Sequence, residues 1–181
     1  MPLFKKKLST KEFIDYLLLD TRAYTVKQTI DFFKNRLGYK GEDRYLELEA
    51  NIFSLWLLTI SLPPQNNELR DLLHDTYCKQ VQLDPQEKKL FYEEVDKRYK
   101  IYFEAFNIWQ KNPQSGHIMG GVLIEIIKNK TSNFSLKEYL PLVGANEALE
   151  AFILFGELFK LNLKIVGRIK NKGNYRRRSN A

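Results

Sequence analysis

The chain is poor in the residues that most often build a catalytic or metal centre. Its 181 residues include one cysteine and two histidines. A single cysteine, Cys78, excludes an intramolecular disulfide and every site that needs paired thiolates, such as a CxxC zinc site. So little cysteine is typical of a protein in a reducing compartment, and we expect a cytoplasmic location.

Long apolar runs are missing as well. The most apolar stretch, IFSLWLLTISL from Ile52 to Leu62, is followed by two prolines. It is much shorter than the roughly 20 residues that a membrane-spanning helix needs. Near the N-terminus, Lys11, Glu12 and Asp15 interrupt the apolar stretch that a signal peptide requires, so we expect no signal peptide. The apolar run instead predicts a helix that other helices enclose.

Negative charge is missing from one end of the chain. Residues 160–181 contain eight of the 29 basic residues and no acidic one. The other 21 basic residues share residues 1–159 with all 22 acidic residues, which leaves that part with a net charge of −1. The basic character of the protein, +7 in all, therefore belongs to its C-terminus.

Almost every start and stop signal in the rest of the chain is helical. Capping boxes are predicted at Ser9–Glu12, Thr25–Gln28 and Ser135–Glu138, and Asp84 with Pro85 marks another helix start. Residues 117–129 are expected to be helical, with a buried strand as the alternative because VLIEII is rich in β-branched residues. The longer helices are expected at about 10–20, 25–37, 43–61, 67–82, 85–111, 117–129 and 146–170.

These signals predict an all-α protein. Short connections between helices favour a compact array or bundle of about seven helices, formed as a single domain by residues 1–171. Residues 172–181 have no apolar periodicity, and we expect them to be a flexible basic tail.

The glycine cluster GHIMGG invites comparison with a phosphate-binding loop. A P-loop requires a lysine and a hydroxyl directly after its glycines, whereas Val122 and Leu123 follow Gly120 and Gly121. The segment before the cluster is also predicted to be helix rather than strand. We therefore expect the small residues to serve close approach of another helix.

The side chains with the most chemical potential are sparse. His74 and Cys78 are four residues apart on a predicted helix, and the second histidine is His117. Two ligands do not hold a metal ion, and nothing in the sequence marks an oxyanion hole for a Cys–His nucleophile. We expect Cys78 to be a small apolar residue and His74 to be partly exposed. The carboxylate pairs Glu47/Glu49 and Glu93/Glu94 are expected on solvated helix faces.

The predicted helix at 85–111 carries many aromatic side chains. We expect them to pack in the core against the helix at 43–61, because aromatic residues dominate protein cores. A groove for a protein partner is the alternative. The seven residues are Phe91, Tyr92, Tyr99, Tyr102, Phe103, Phe106 and Trp109.

The basic C-terminus is the most informative feature. Lys160, Lys164, Arg168 and Lys172 recur every four residues, which places them in one row on a helix. An apolar stripe lies beside the row, formed by Leu158, Leu161, Ile165 and Ile169. Such a row suits phosphates of a nucleic acid, where Tyr175 in the tail can stack on a base. An anionic membrane surface and a merely solubilising tail are the alternatives.

Together these features predict a non-catalytic helical binding protein that engages a polyanion, with nucleic acid favoured over membrane. One alternative is a protein–protein adaptor or structural protein whose tail only solubilises it. The other is a small helical enzyme or metal-binding protein that uses His74, Cys78 or His117. We expect no cofactor and no metal ion. The predicted anion-binding residues are Lys160, Lys164, Arg168, Lys170, Lys172, Tyr175, Arg176, Arg177 and Arg178.

Overall fold

A computed structural model describes residues 9–62, 67–128, 136 and 145–173. These residues contain no strand, so the prediction of an all-α fold is confirmed. Three π-helical turns extend α-helices, at Leu18–Arg22, Phe32–Arg36 and Ile124–Lys128, and a 3-10 turn spans Pro113–Ser115. The α-helices are α1 (Thr10–Leu17), α2 (Ala23–Asp31), α3 (Asp43–Ser61), α4 (Asn67–Gln80), α5 (Pro85–Lys111), α6 (Gly116–Leu123) and α7 (Ala145–Gly173).

Two of the predicted helix starts have the expected capping geometry. The backbone N–H of Glu12 donates to Ser9 Oγ (3.2 Å), and the Glu12 carboxylate accepts from the Ser9 N–H (2.8 Å). At the start of α5, Asp84 Oδ1 accepts from the N–H groups of Gln86 and Glu87, both at 2.8 Å. The third predicted box, Ser135–Glu138, lies outside the described residues.

The predicted helix start at Thr25 is wrong. Arg22, which precedes α2, has helical backbone angles (φ −60°, ψ −53°), so α1, α2 and their π turns form one continuous rod. Thr25 is buried inside this rod, and its carbonyl accepts from Thr29 Oγ1 (2.9 Å). No glycine or proline interrupts residues 10–36, so the helix continues until Gly38, whose φ is +63°. The stop predicted at Gly38 is confirmed.

The later helices follow the prediction with small shifts in their bounds. The segment predicted over 117–129 is helical as far as Lys128, so the alternative of a strand is wrong. Helix α4 ends at Gln80, because the next turn places Gln82 at a positive φ of 55°. The helical backbone of α7 continues to Gly173 and thus includes residues 172 and 173, which the sequence assigned to the tail.

The core is built around α3. Trp56 is fully buried, and its ring lies 5.1 Å from Tyr102 and 5.8 Å from Phe106 of α5, measured between centroids. On another side it lies 6.0 Å from Phe155 of α7. The expected packing of the aromatic helix against the helix at 43–61 is thereby confirmed.

The glycine cluster lies where α6 and α7 cross. A Cβ added to Gly120 would lie 1.8 Å from the carbonyl oxygen of Ala148, and one added to Gly116 would lie 2.4 Å from the ring of Phe152. Only residues without a side chain allow the two backbones to approach so closely. The interpretation of GHIMGG as a helix-packing segment is confirmed.

Candidate functional site

The predicted basic row lies on the second half of α7. Phe155, Leu158 and Val166 are buried and hold this helix against the rest of the fold. Lys160 and Lys164 are exposed. At 1.5 Å per residue, they are about 6 Å apart along the helix axis. A buried apolar row and an exposed basic row therefore share α7.

Some of the predicted anion-binding residues lie on α7, and others lie outside the described residues. Helical backbone at positions 168 and 172 continues the spacing of four that Lys160 and Lys164 begin. The side chains of Arg168, Lys170 and Lys172 lie outside the described residues, and so do Tyr175, Arg176, Arg177 and Arg178 in full. Beside the row, Leu158 is buried and Leu161 and Ile165 are half-buried, in agreement with these three members of the predicted stripe. The side chain of the fourth, Ile169, lies outside the described residues.

Some of the exposed side chains of α7 are apolar. Leu149 and Ile153 are each 52% exposed, and Leu163 is exposed between the two lysines. Ile153 borders a groove of about 490 Å³ between α7 and the rod formed by α1 and α2. Arg36 and Glu150 form a bidentate ion pair (3.0 and 3.1 Å) across this groove. The first half of α7 thus exposes both apolar residues and the acidic Glu157, and the exposed lysines follow in the second half.

His74 is an internal structural residue of α4. It is 8% exposed, so the expectation of a partly exposed side chain is wrong. Its Nδ1 lies 2.7 Å from the carbonyl oxygen of Arg70, which only accepts hydrogen bonds, so Nδ1 carries the hydrogen. Its Nε2 then accepts from the hydroxyl of Tyr99 (2.8 Å). Burial lowers the pKa of His74, which favours this neutral form.

The environment of Cys78 does not activate a thiol. The residue is buried, which fits the expected small apolar residue, and burial raises its pKa, which disfavours the nucleophilic thiolate. His117 is exposed on α6. The described part of the chain contains no group of three or more side chains suited to hold a metal ion. Neither a Cys–His nucleophile nor a metal centre is favoured by this arrangement.

A cleft that the sequence did not predict opens between α4 and α5. The two helices meet near their connecting turn, where the rings of Tyr77 and Phe91 stack at 5.2 Å and Lys88 Nζ bonds Asp75 Oδ1 (2.7 Å). Farther from the turn, residues of both helices and of α3 line a cavity of about 340 Å³. Its lining consists of Thr59, Arg70, Asp71, His74, Tyr92, Val95, Asp96, Tyr99 and Phe103.

A buried ion pair joins α3 and α5. Arg98 Nε lies 3.0 Å from both carboxylate oxygens of Glu49, and Nη2 lies 2.6 Å from one of them. The Glu49 side chain is 0% exposed and that of Arg98 4%, so the prediction that Glu49 is solvated is wrong. Glu47, two residues earlier, is exposed as expected. Burial raises the pKa of Glu49, and the hydrogen bonds from Arg98 oppose that rise.

The described helices do not include one that is both long and apolar enough to span a membrane. Comparison with known proteins gave no match: no family model, no curated protein and no solved structure is significantly similar to this chain.

Proposed function

We propose that the protein is a non-catalytic helical binding protein that engages a polyanion, nucleic acid in the first place, through the C-terminal half of α7. The observation that carries this proposal is the continuity of α7 from Ala145 to Gly173. Its buried residues fix the helix on the core, and Lys160 and Lys164 project from the same helix into solvent. The basic row is therefore attached to a rigid support.

The physical basis is the release of counterions from phosphates. Each lysine or arginine that neutralises a phosphate releases condensed cations, which stabilises the complex at low salt. Positions 160, 164, 168 and 172 span about 18 Å along a helix, so a row at this spacing reaches several phosphates of one strand. The absence of acidic residues from 160–181 removes local competition for these cations. The near-neutral remainder of the chain adds little repulsion or attraction of its own.

A salt titration of binding tests the proposal. We would measure fluorescence anisotropy of short RNA, single-stranded DNA and duplex DNA at several salt concentrations. The double variant Lys160→Gln/Lys164→Gln is expected to bind more weakly and to lower the slope of log K against log salt by about 2. The matched control Lys89→Gln/Lys100→Gln removes two exposed lysines from α5 and should keep the wild-type slope.

The outcome separates the proposal from a solubilising role. Equal affinity and equal slope for the two double variants would overturn it, because binding would then be a property of net charge alone. Weak binding that disappears at physiological salt for all three polymers would overturn it as well. A chain that stops after Gly173 shows how much of the affinity the last eight residues add.

The apolar exposed residues favour a second candidate, a protein–protein adaptor. Leu149 and Ile153 lie one turn apart on α7, beside the groove that Arg36 and Glu150 bridge. In a pull-down, Ile153→Lys should then lose a specific protein that Leu90→Lys retains. Leu90 is a comparably exposed leucine on α5 and is the control.

A further inference from the structure

The hydroxyl groups that line the α4–α5 cleft already donate their hydrogens to hydrogen bonds within the protein. Thr59 Oγ1 donates to the carbonyl oxygen of Leu55 (2.8 Å), and the Tyr92 hydroxyl donates to Asp75 Oδ1 (3.0 Å). The Tyr99 hydroxyl donates to His74 Nε2 (2.8 Å). A hydroxyl has one hydrogen and two lone pairs, so these three groups have no hydrogen left to donate. One lone pair is already used between Thr59 and Tyr99 and another between Tyr92 and Cys78, and the remaining lone pairs can only accept.

His74 offers the cleft no donor either. Its Nδ1 hydrogen is bound to the carbonyl oxygen of Arg70, and its Nε2 lone pair is occupied by Tyr99. The ring is neutral in this arrangement, so it adds no positive charge to the cavity. The inner part of the cleft thus presents acceptors and aromatic rings.

Two carboxylates at the mouth of the cleft also accept hydrogen bonds and do not donate them. Asp71 and Asp96 are exposed, and neither forms an ion pair within the described residues. Both lie close enough to His74 to act on its pKa, which places them around the same cavity. A carboxylate at neutral pH accepts hydrogen bonds and does not donate them.

The walls of the cleft are largely aromatic. Tyr92, Tyr99 and Phe103 line the cavity, and aromatic faces attract cations through their negative quadrupole. Arg70 is the exception among the described lining residues, since it carries donors and a positive charge. Its Nη1 lies 3.4 Å from Asn67 Oδ1, one turn back along α4. A cavity of about 340 Å³ is within the range of small-molecule sites.

We propose that the α4–α5 cleft binds a small organic cation, an ammonium group attached to an apolar body. The ammonium supplies the hydrogens that the acceptors of the cleft lack, and the aromatic walls cover the apolar body. This site shares no residue with the basic row of α7. The proposal therefore stands or falls independently of nucleic-acid binding.

The test compares three probes of nearly equal shape on the unaltered full chain. We would titrate 2-phenylethylamine, 2-phenylethanol and phenylacetate at pH 7 and follow backbone amide shifts and heats of binding. The amine is expected to saturate and to shift signals of α4 and α5. The alcohol should bind at least about tenfold more weakly, because hydrogen bonds to charged groups are the stronger ones, and phenylacetate more weakly still.

Variants at the mouth test the carboxylates directly. Asp71→Asn/Asp96→Asn retains the size of both side chains and is expected to weaken the amine about tenfold or more, to the level of the alcohol. The control Glu93→Gln/Glu104→Gln removes two exposed carboxylates of α5 outside the cleft lining and should leave affinity unchanged. The proposal is overturned if amine and alcohol bind equally, if the amine does not saturate, or if both double variants weaken it alike.

Discussion

The buried pair of Glu49 and Arg98 permits a sharp prediction about stability. Replacing Arg98 by Met removes three hydrogen bonds of 2.6–3.0 Å and leaves a carboxylate that is 0% exposed without its partner. Removing one partner of a buried pair costs about 3–5 kcal/mol. Arg98 also contacts Glu94 (3.3 Å), but the Glu94 side chain is 35% exposed, so this ion pair contributes little to stability. We therefore expect Arg98→Met to lose about 4 kcal/mol of unfolding free energy.

The dependence on pH gives this prediction a second readout. Without Arg98, only the hydrogen bond from Tyr45 still opposes the rise in the pKa of Glu49, so the folded variant binds a proton more tightly than its unfolded chain does. The unfolded carboxyl titrates near pH 4.3. The loss of unfolding free energy in Arg98→Met, relative to the wild type, should therefore be smaller near pH 4.3 than at pH 7.

Urea denaturation of four proteins measures these quantities. The double variant Glu49→Met/Arg98→Met should lie within about 1 kcal/mol of the wild type, because apolar residues often replace a buried pair at little cost. Lys97→Met, which removes an exposed partner of Glu94, should change stability by less than about 0.5 kcal/mol. A loss below about 1 kcal/mol for Arg98→Met, or a double variant as unstable as the single one, would refute the reasoning.

Two other features of the fold give testable expectations. Gly120→Ala should lower the free energy of unfolding by about 2–3 kcal/mol in thermal or urea denaturation, because the new Cβ would collide with the backbone of α7. Gly156→Ala is the control: its Cβ would meet nothing within 4 Å, so this variant should gain about 0.5–1 kcal/mol. Since the pKa of His74 is lowered in the folded state, unfolding free energy should fall as pH drops below about 6.5, where the unfolded histidine takes up a proton. Replacing His74 by Gln should remove most of that slope, and replacing the exposed His117 by Gln should retain it.

Periodicity and capping residues were sufficient to predict most helices. Asp84 and Pro85 define the start of α5 by local hydrogen bonds, so no distant residue is needed to anticipate it. Thr25 shows the limit of this reasoning, because threonine caps helices and also fits inside them, as Thr29 does by donating to the Thr25 carbonyl oxygen. Packing of α2 against α3 favours a helix that continues through Thr25 over one that starts there, and a local sequence pattern does not reveal that contact.

The sites depended on contacts between distant residues. Glu49 and Glu47 are equivalent in a sequence pattern, yet one faces Arg98 in the core and the other faces solvent. The lining of the α4–α5 cleft combines residues of three helices, such as Thr59 of α3, His74 of α4 and Tyr92 of α5, so no local pattern predicts it. The basic row, by contrast, needs one helix and a spacing of four, so the sequence alone predicts it.

The two proposed sites carry opposite charge on different helices, which allows each to serve as the control for the other. The variant Lys160→Gln/Lys164→Gln changes α7 alone, and we expect it to bind 2-phenylethylamine as the wild type does. The variant Asp71→Asn/Asp96→Asn changes the mouth of the α4–α5 cleft alone, and its salt slope for nucleic acid should equal that of the wild type. Coupling between the sites is tested by titrating one ligand in the presence of the other, because coupled ligands change each other's affinity by the same factor. Independent loss would show that the cation cleft and the basic helix are separate binding sites of one fold.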